Sequence, residues 1–410
     1  MSKKILFMIT SGFPYGNGES FVEGEIEHLN DFFSKVVIIS HNVNSENKRK
    51  LNNDFNIHRI KYGLSTFQKL ISIFHLLNPL FWKEFKLIIK SPKANLSIGI
   101  IKTILISLHN AKNLRKKYSR VISEYNSEHN KNYCYSYWSN DSAIALAMLK
   151  IKHKEFICFS RIHGWDVFFE TSKFSYLPCR NFISNNLNSI FSISKFGLDY
   201  CLKNWEISLP FSIRLSRLGV KQQNYLANTS RDFTIVSCSN LIYLKRIDLL
   251  INSLSHIKIN LKWIHFGDGE LFNLLKNMAI KLLPKNINYE FKGAVPNSQI
   301  LDYYKNNSPS LIINLSNSEG IPVSIMEAFS FGIPAIATNV GGISEIVNDK
   351  NGFLLDANPS SKEVANVIEG FYNLKRNFKE SKRKAAYKTW SKEYNADNNY
   401  AKFVEDILSL

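Results

Sequence analysis

Short apolar runs alternate with amphipathic stretches along most of this chain, and that rhythm restricts its fold more than any other feature. Ile5–Ile9 reads as a buried strand leading into a Gly-rich turn, Gly12-Phe-Pro-Tyr-Gly16-Asn-Gly18. Val22, Ile26, Leu29 and Phe33, at i, i+4, i+7 and i+11, then predict a helix, and Val36–Ser40 a second strand. The alternation returns as Phe233–Cys238 (strand), Leu249–Ile257 (helix), Leu261–Phe266 (strand) and Glu270–Lys281 (helix). It continues through Asn288–Phe291 (strand), Ser298–Asn306 (helix), Leu311–Leu315 (strand), Pro322–Phe331 (helix) and Ala335–Thr338 (strand). Repeated βα units predict parallel, doubly wound sheets, because parallel neighbours need a crossover and a helix is the usual one. A chain of 410 residues is also too long for one core.

Two such series predict two Rossmann-like α/β domains, which we place at 1–217 and 218–392. A last helix, about Asp397–Leu410 within 393–410, is expected to cross back to the first. Ligands of open α/β sheets sit outside the carboxyl ends of the strands, so the expected site is the cleft between the domains.

Charge narrows the partners. Lys and Arg number 52 against 34 Asp and Glu, a formal charge of +18. Residues 61–120 hold twelve basic side chains and one acid, Glu84. Within them, Phe67–Lys93 mixes lysines with Phe67, Ile71, Phe74, Leu76, Leu77, Leu80, Phe81, Trp82 and Phe85. Such a surplus suits a polyanion: nucleic acid, an acidic membrane face or phosphate-bearing ligands. The stretch reads either as a core helix with a solvated basic face or as a surface resting on anionic lipid. No nucleic-acid-binding motif is found, so nucleic acid ranks last. The five cysteines form no C-x-x-C pair, which suits a reducing compartment. The opening apolar run is too short for a signal peptide, and no run of about eighteen apolar residues exists. The expected location is cytoplasmic, peripheral on the inner face of the plasma membrane.

The chemistry concentrates in Ser316-Asn-Ser-Glu319-Gly320-Ile-Pro322-Val-Ser-Ile-Met-Glu327-Ala-Phe-Ser-Phe-Gly332-Ile-Pro334. It reads as a strand end, a polar loop and a helix with Pro early and Gly just past its end. N–H groups at Gly320, Ile321 and Val323, with the helix dipole, would make an anion pocket suited to a diphosphate. Glu319 and Glu327 beside such a pocket are costly unless hydroxyls donate to them, as those of sugar and ribose do.

These residues resemble the E-x7-E signature of retaining glycosyltransferases of family 4, which have the GT-B fold. Ser318-Glu319-Gly320-x-Pro322, Glu327-Ala328, Gly332-x-Pro334 and Gly341-Gly342-x-x-Glu345 follow that pattern in order and spacing. Phe266-Gly267-Asp268-Gly269 resembles its G-x-G turn, and Phe291-x-Gly293-x-Val295 the segment facing the nucleotide base. Leu241 to Lys245 and Asp248-Leu-Leu resemble its K-G-x-x-x-L-I stretch. Asn240 stands where the family places an Arg, and Arg246 follows Lys245 where it places Gly. In the first half, Arg161-Ile-His163-Gly164-Trp165-Asp166 and Phe13–Phe21 resemble bacterial members that build surface polysaccharides.

The resemblance implies a retaining transfer of a sugar from a nucleotide diphosphate donor, a UDP-sugar, to a hydroxyl of a saccharide acceptor, a lipid-linked one in surface-polysaccharide synthesis. Glu319, His163 and Lys245 are the expected catalytic residues. Glu327, Gly320, Ile321, Val323, Lys245, Arg246, Gly293, Val295 and Gly267 are expected to bind the donor. Gly16, Gly18, Asp166 and Arg161 are expected at the acceptor or cleft, although Asp166 also suits a turn cap. Glu19, Glu23 and Glu27, four apart, read as the solvated side of the first helix. No D-x-D or ligand-spaced His/Asp cluster occurs, so neither metal nor cofactor is expected. Two rivals stand beside this reading: a nucleotide-sugar epimerase of the same fold and a nucleic-acid-binding protein.

Overall fold

The computed structural model describes residues 3–16, 18–19, 21–90, 97–125, 127, 129–205, 207, 212–223 and 232–410. The predicted basic stretch is therefore described as far as Lys90, and Lys93 lies outside the described residues. The chain divides into two compact units, Met1–Ser216 with Tyr400–Leu410, and Arg217–Asn399.

The first unit holds a seven-stranded parallel sheet: β1 (Lys3–Thr10), β2 (Lys35–Ser40), β3 (Asn56–Arg59), β4 (Asn130–Ser136), β5 (Ile157–Ile162), β6 (Ser189–Ser192) and β7 (Ile213–Leu215). Its spatial order is β3-β2-β1-β4-β5-β6-β7. Central β1 runs in register beside both β2 and β4, with Phe7 opposite Val37 and Cys134. Both its faces are covered, which is why it reads as one apolar run rather than an alternation. Leu6, Phe7 and Met8 are fully buried, each worth about 1.5–3 kcal/mol of apolar transfer.

The second unit repeats the plan with six parallel strands: β8 (Thr234–Cys238), β9 (Leu261–Phe266), β10 (Ile287–Phe291), β11 (Leu311–Asn314), β12 (Ala335–Thr338) and β13 (Gly352–Leu355). Its order is β10-β9-β8-β11-β12-β13, so direction reverses between β8 and β11, as it does between β1 and β4 in the first sheet. Those are the switch points at which doubly wound sheets open a crevice.

The last helix, Ala396–Leu408, ends in the first unit. There Phe403 packs against Tyr135, Phe159 and Phe191, all on the first sheet. Among the described residues, no helix is long and apolar enough to cross a membrane.

Two local expectations change. The first helix runs Phe21–Asn30, so Glu19 precedes it, in the left-handed region at φ 59°, and Phe33 follows it. The segment beyond Ser65 is not one helix. It is a short helix Thr66–Ile71, a 3-10 turn Ser72–Leu77 and a second helix Pro79–Lys90. Pro79 forces the break, since the residue before proline avoids the helical region and Asn78 is extended.

Candidate active site

Two loops meet where β8 and β11 end. The chain leaves β8 through Ser239–Lys245, and leaves β11 through Leu315–Pro322 into the helix Val323–Ser330. A small cavity between them is lined by Cys238, Ser239, Lys245, Asn314 and Ser316. Lys245 Nζ lies 2.5 Å from Glu319 Oε1. The same oxygen accepts from Ser316 Oγ at 2.7 Å and Asn314 Nδ2 at 3.3 Å. Glu319 is thus aimed by three neighbours from two loops, with about a tenth of its side chain exposed.

The backbone around Glu319 is set by Gly341. Its φ is +56°, and a Cβ there would fall 1.8 Å from the Glu319 carbonyl oxygen. Only glycine lets the loop after β12 press this closely. Gly342 N–H then donates to Gly320 O at 2.9 Å. Among the described residues, the N–H groups of Gly320, Ile321, Val323 and Ser324 donate to no protein acceptor. Helix geometry leaves such groups orphaned at an N-terminus, where the dipole also favours an anion. The helix start is therefore a row of open N–H groups, with Lys245 paired to the neighbouring Glu319.

Glu327 sits a turn further in and is buried. Burial pushes its carboxyl up to about 7, a rise partly offset by the hydrogen bond from Asn297 Nδ2 at 2.7 Å. Asn297 begins the helix two residues after Val295, so this bond brings Glu327 to the Gly293–Val295 segment. Asn297 carries no signal in the sequence, because its partner lies thirty residues away.

One expected donor ligand has another task, and a second has a backbone task as well. Arg246, in the left-handed region at φ 48°, donates to Leu315 O at 2.5 Å, Ser316 O at 3.3 Å, Ala357 O at 2.7 Å and Asn358 Oδ1 at 3.2 Å. Its guanidinium clamps three loops together and is not directed at a phosphate. Gly267, at φ 138°, lets β9 end against β8. A Cβ there would fall 1.9 Å from Ser239 O, and its N–H donates to Gly293 O. Gly267 thus shapes the turn after β9 through its backbone.

In the first unit, β5 runs into His163 and the loop to Val167. Asp166 is fully buried and accepts from the N–H groups of His163 (2.8 Å), Gly164 (3.2 Å) and Ser139 (3.0 Å). Burial alone would raise its carboxyl, but these bonds and the His163 ring hold it below the usual value. Asp166 is a loop cap, so the expected acceptor contact is withdrawn. Arg161 is withdrawn too: fully buried, it pairs with Glu25 at 3.0 Å, donates to Ser216 Oγ and stacks on Phe403. Glu25, which also accepts from Tyr135 OH, was invisible among the helix's other glutamates.

His163, expected to be catalytic, is buried behind aromatic rings. Its ring lies among Tyr137 (4.7 Å between centroids), Trp138 (4.4 Å) and Phe21 (6.4 Å), and Trp138 packs against half-exposed Trp165. Neither ring nitrogen has a hydrogen-bond partner among the described residues; Nδ1 stands 3.9 Å from Asp166 Oδ2. Gly16 and Gly18 lie in the loop after β1 and are held there by Arg49, which donates to both carbonyls. That loop is closed by Glu19, whose carboxylate accepts from the N–H groups of Ser11 (3.1 Å), Gly12 (2.6 Å) and Phe13 (2.7 Å) and from Trp138 Nε1 (2.5 Å). Among the described residues no group of three or more His, Cys, Asp or Glu is placed to hold a metal ion.

Comparison with known proteins agrees with this architecture. Residues 221–389 match the family model "Glycosyl transferases group 1". The chain is 25% identical over 256 residues to the Escherichia coli "O-antigen biosynthesis glycosyltransferase WbnH", covering 62% of this chain and 70% of that one. It is 26% identical over 197 residues to the Bacillus subtilis "Putative teichuronic acid biosynthesis glycosyltransferase TuaC", 47% of each. Among solved structures, Anabaena HepE in complex with UDP-glucose superposes with a TM-score of 0.64 at 14% identity over 100% of both chains. TarM superposes with a TM-score of 0.67 at 14% identity, over 99% of this chain and 98% of that one. The second unit is thus a glycosyl transferases group 1 domain, and the chain is a glycosyltransferase with the GT-B fold.

Proposed function

We propose that the chain moves a sugar from a UDP-sugar to a hydroxyl of a lipid-linked saccharide, with retention at the anomeric carbon, as in family 4. One observation carries this reading: open N–H groups at Gly320, Ile321 and Val323 beside the Lys245 ammonium, flanked by two carboxylates. A nucleoside diphosphate sugar supplies the anion for the first and hydroxyls for the second. The diphosphate would lie across the helix N-terminus, with Lys245 turning from Glu319 to meet it. Glu319 would then accept from the donor sugar's hydroxyls and Glu327 from the ribose, while backbone at Gly293 and Val295 faces the base. His163 would contact the transferring sugar.

The chemistry asks for no protein nucleophile. The bond from the anomeric carbon to the diphosphate oxygen breaks, the acceptor oxygen attacks the same face, and its proton passes to the departing diphosphate. The protein's work is to stabilise charge growing on that leaving group, which fixed dipoles and a cation do well. No cofactor or metal enters this scheme. HepE's complex with UDP-glucose supports the uridine donor, and the names of WbnH and TuaC support an acceptor in surface-polysaccharide synthesis.

The test is a thermal-shift panel of UDP-, GDP- and ADP-sugars, followed by NMR assignment of the product's anomeric configuration. UDP-sugars should raise the apparent Tm by mass action. No shift with any nucleotide sugar, or an inverted product, would overturn the reading. Glu19 and Asp166, each tied to backbone N–H groups, offer little to an epimerase needing free first-unit carboxylates. Conversion of the donor without any acceptor would nevertheless establish that rival.

A further inference from the structure

The segment Thr66–Leu77 turns its apolar side outward. Phe67, Leu70, Phe74 and Leu77 recur at i, i+3, i+7 and i+10 and are 70%, 70%, 68% and 84% exposed. Ile73 between them is exposed as well. On the other side Ser72 and His75 are buried, His75 against His109 of the helix Ile98–Tyr125. A helical surface that faces only water does the reverse. Trp82, half exposed, extends the face: its indole N–H donates to Leu76 O at 2.7 Å, which fixes the ring beside it. Exposed Ile89 stands on the same helix as Trp82. Single exposed apolar residues need no explanation, but a contiguous patch does.

Exposed lysines stand on the helices that carry this face. Lys69, Lys83 and Lys86 are exposed on its own helices, and Lys102, Lys112 and Lys116 on the helix beneath. Lys112 is close enough to contribute, after burial and His109, to holding the His75 imidazole down to about 4. Glu84, the single acid between 61 and 120, is buried and accepts from Tyr176 OH at 2.6 Å and Cys179 N–H at 2.9 Å.

We propose that the face Phe67–Leu77, ringed by these lysines, docks on an anionic lipid bilayer, with Phe67, Phe74 and Leu77 entering among the headgroups and Trp82 at their level. A bilayer offers an apolar interior and a negative surface together, which is what this combination complements. A second copy docked through the same face would bring two lysine clusters together. The docking rests on this surface and not on the transfer chemistry.

The test is co-sedimentation of the full chain with phosphatidylglycerol/phosphatidylcholine vesicles and with phosphatidylcholine alone, at low and high salt. Wild type should bind the anionic vesicles at least about tenfold better, and lose most of that preference in high salt. Replacing Phe67, Phe74 and Leu77 together by Ser should cost about tenfold or more in binding while leaving Tm unchanged, because the side chains are already in water. Lys83→Gln, Lys86→Gln and Lys112→Gln should each lower anionic binding by up to about fivefold, without altering the thermal shift given by UDP. A wild type that ignores anionic vesicles at low salt overturns the proposal, as does an apolar triple variant that binds them equally well. A wild-type dimer made monomeric by the triple variant, with no vesicle binding, would give the face to a second copy and overturn it too.

Discussion

The two units share one strand order over six strands, yet they treat the backbone N–H groups at their sheet ends in opposite ways. In the first, those groups are met from within: Glu19 closes the loop after β1, and Asp166 closes the loop after β5. In the second, the groups after β11 are left open and a lysine stands beside them. A nest already holding a carboxylate has no attraction for a phosphate; an open one with a cation nearby does. The first unit shows instead a half-exposed Trp165 packed on Trp138, with the buried His163 ring behind them and neither of its nitrogens hydrogen-bonded among the described residues. One fold, two kinds of loop: the difference lies in which unit supplies its own anion.

The sharpest test of this contrast is at the open nest. Lys245→Ala and Glu319→Gln should each lower kcat by about 10²–10³-fold, the range seen when a group that stabilises leaving-group charge or orients the reacting centre is removed. Equal losses below about threefold would show that the pair is structural. Glu327 should behave differently, since its proposed contact is to the non-reacting ribose. Glu327→Ala should mainly raise the donor KM, by about tenfold.

Glu327 also predicts a pH dependence. Ribose hydroxyls donate to the ionised carboxylate, and with its pKa at about 7 that form grows from pH 6 to pH 8. The donor KM should fall by up to about tenfold across this range, and Glu327→Gln should flatten the profile. Stability runs the other way. The folded protein keeps a proton that an unfolded chain releases above its ordinary 4.5, so this group's contribution falls as pH rises from there to about 7. The advantage of Glu327→Gln over wild type, measured by denaturation, should therefore widen from pH 5 to pH 8, with an upper limit of about 3 kcal/mol. A flat difference would mean that Glu327 is ionised throughout.

At the closed nest the expected effect is on stability alone. Glu19→Ala leaves three backbone N–H groups and an indole N–H without their acceptor, a cost of about 1–3 kcal/mol. The UDP-induced thermal shift should not change. A variant that folds as well as wild type but loses donor binding would erase the distinction between the two units.

What the sequence made legible follows the range of the interactions. The strands β9 and β12 were placed to the residue, because a short parallel strand is a local apolar run bounded by polar residues. The loop and helix start at Pro322 were legible for the same reason: they lie in one continuous segment. Arg246 was misread because its direction depends on carbonyls 69 and 111 residues away. Arg161 was misread because Glu25 and Phe403 lie at opposite ends of the chain. Glu19 looked like one of three glutamates on a helix face, and only its backbone, outside the helix, shows otherwise. The outward-facing apolar row at Phe67–Leu77 has the spacing of a core helix, and no pattern in one sequence tells inward from outward.

The smallest expected effect concerns metal, and it tests the open nest as a charge inventory. A diphosphate leaving group gains negative charge as the sugar departs. In the proposed scheme Lys245 and the N–H groups of Gly320, Ile321, Val323 and Ser324 receive it. The loop that carries the N–H groups is held by Gly341 below it and by Arg246 across it, so they need no reorganisation when charge develops. Turnover in EDTA should then stay within about twofold of that in Mg²⁺, and Lys245→Ala should not be rescued by added Mg²⁺ or Mn²⁺. Rescue is the informative alternative: a divalent ion that restores the lysine variant would be occupying the place of the ammonium, and one that wild type also requires would mean that the open nest falls short of the charge it must carry.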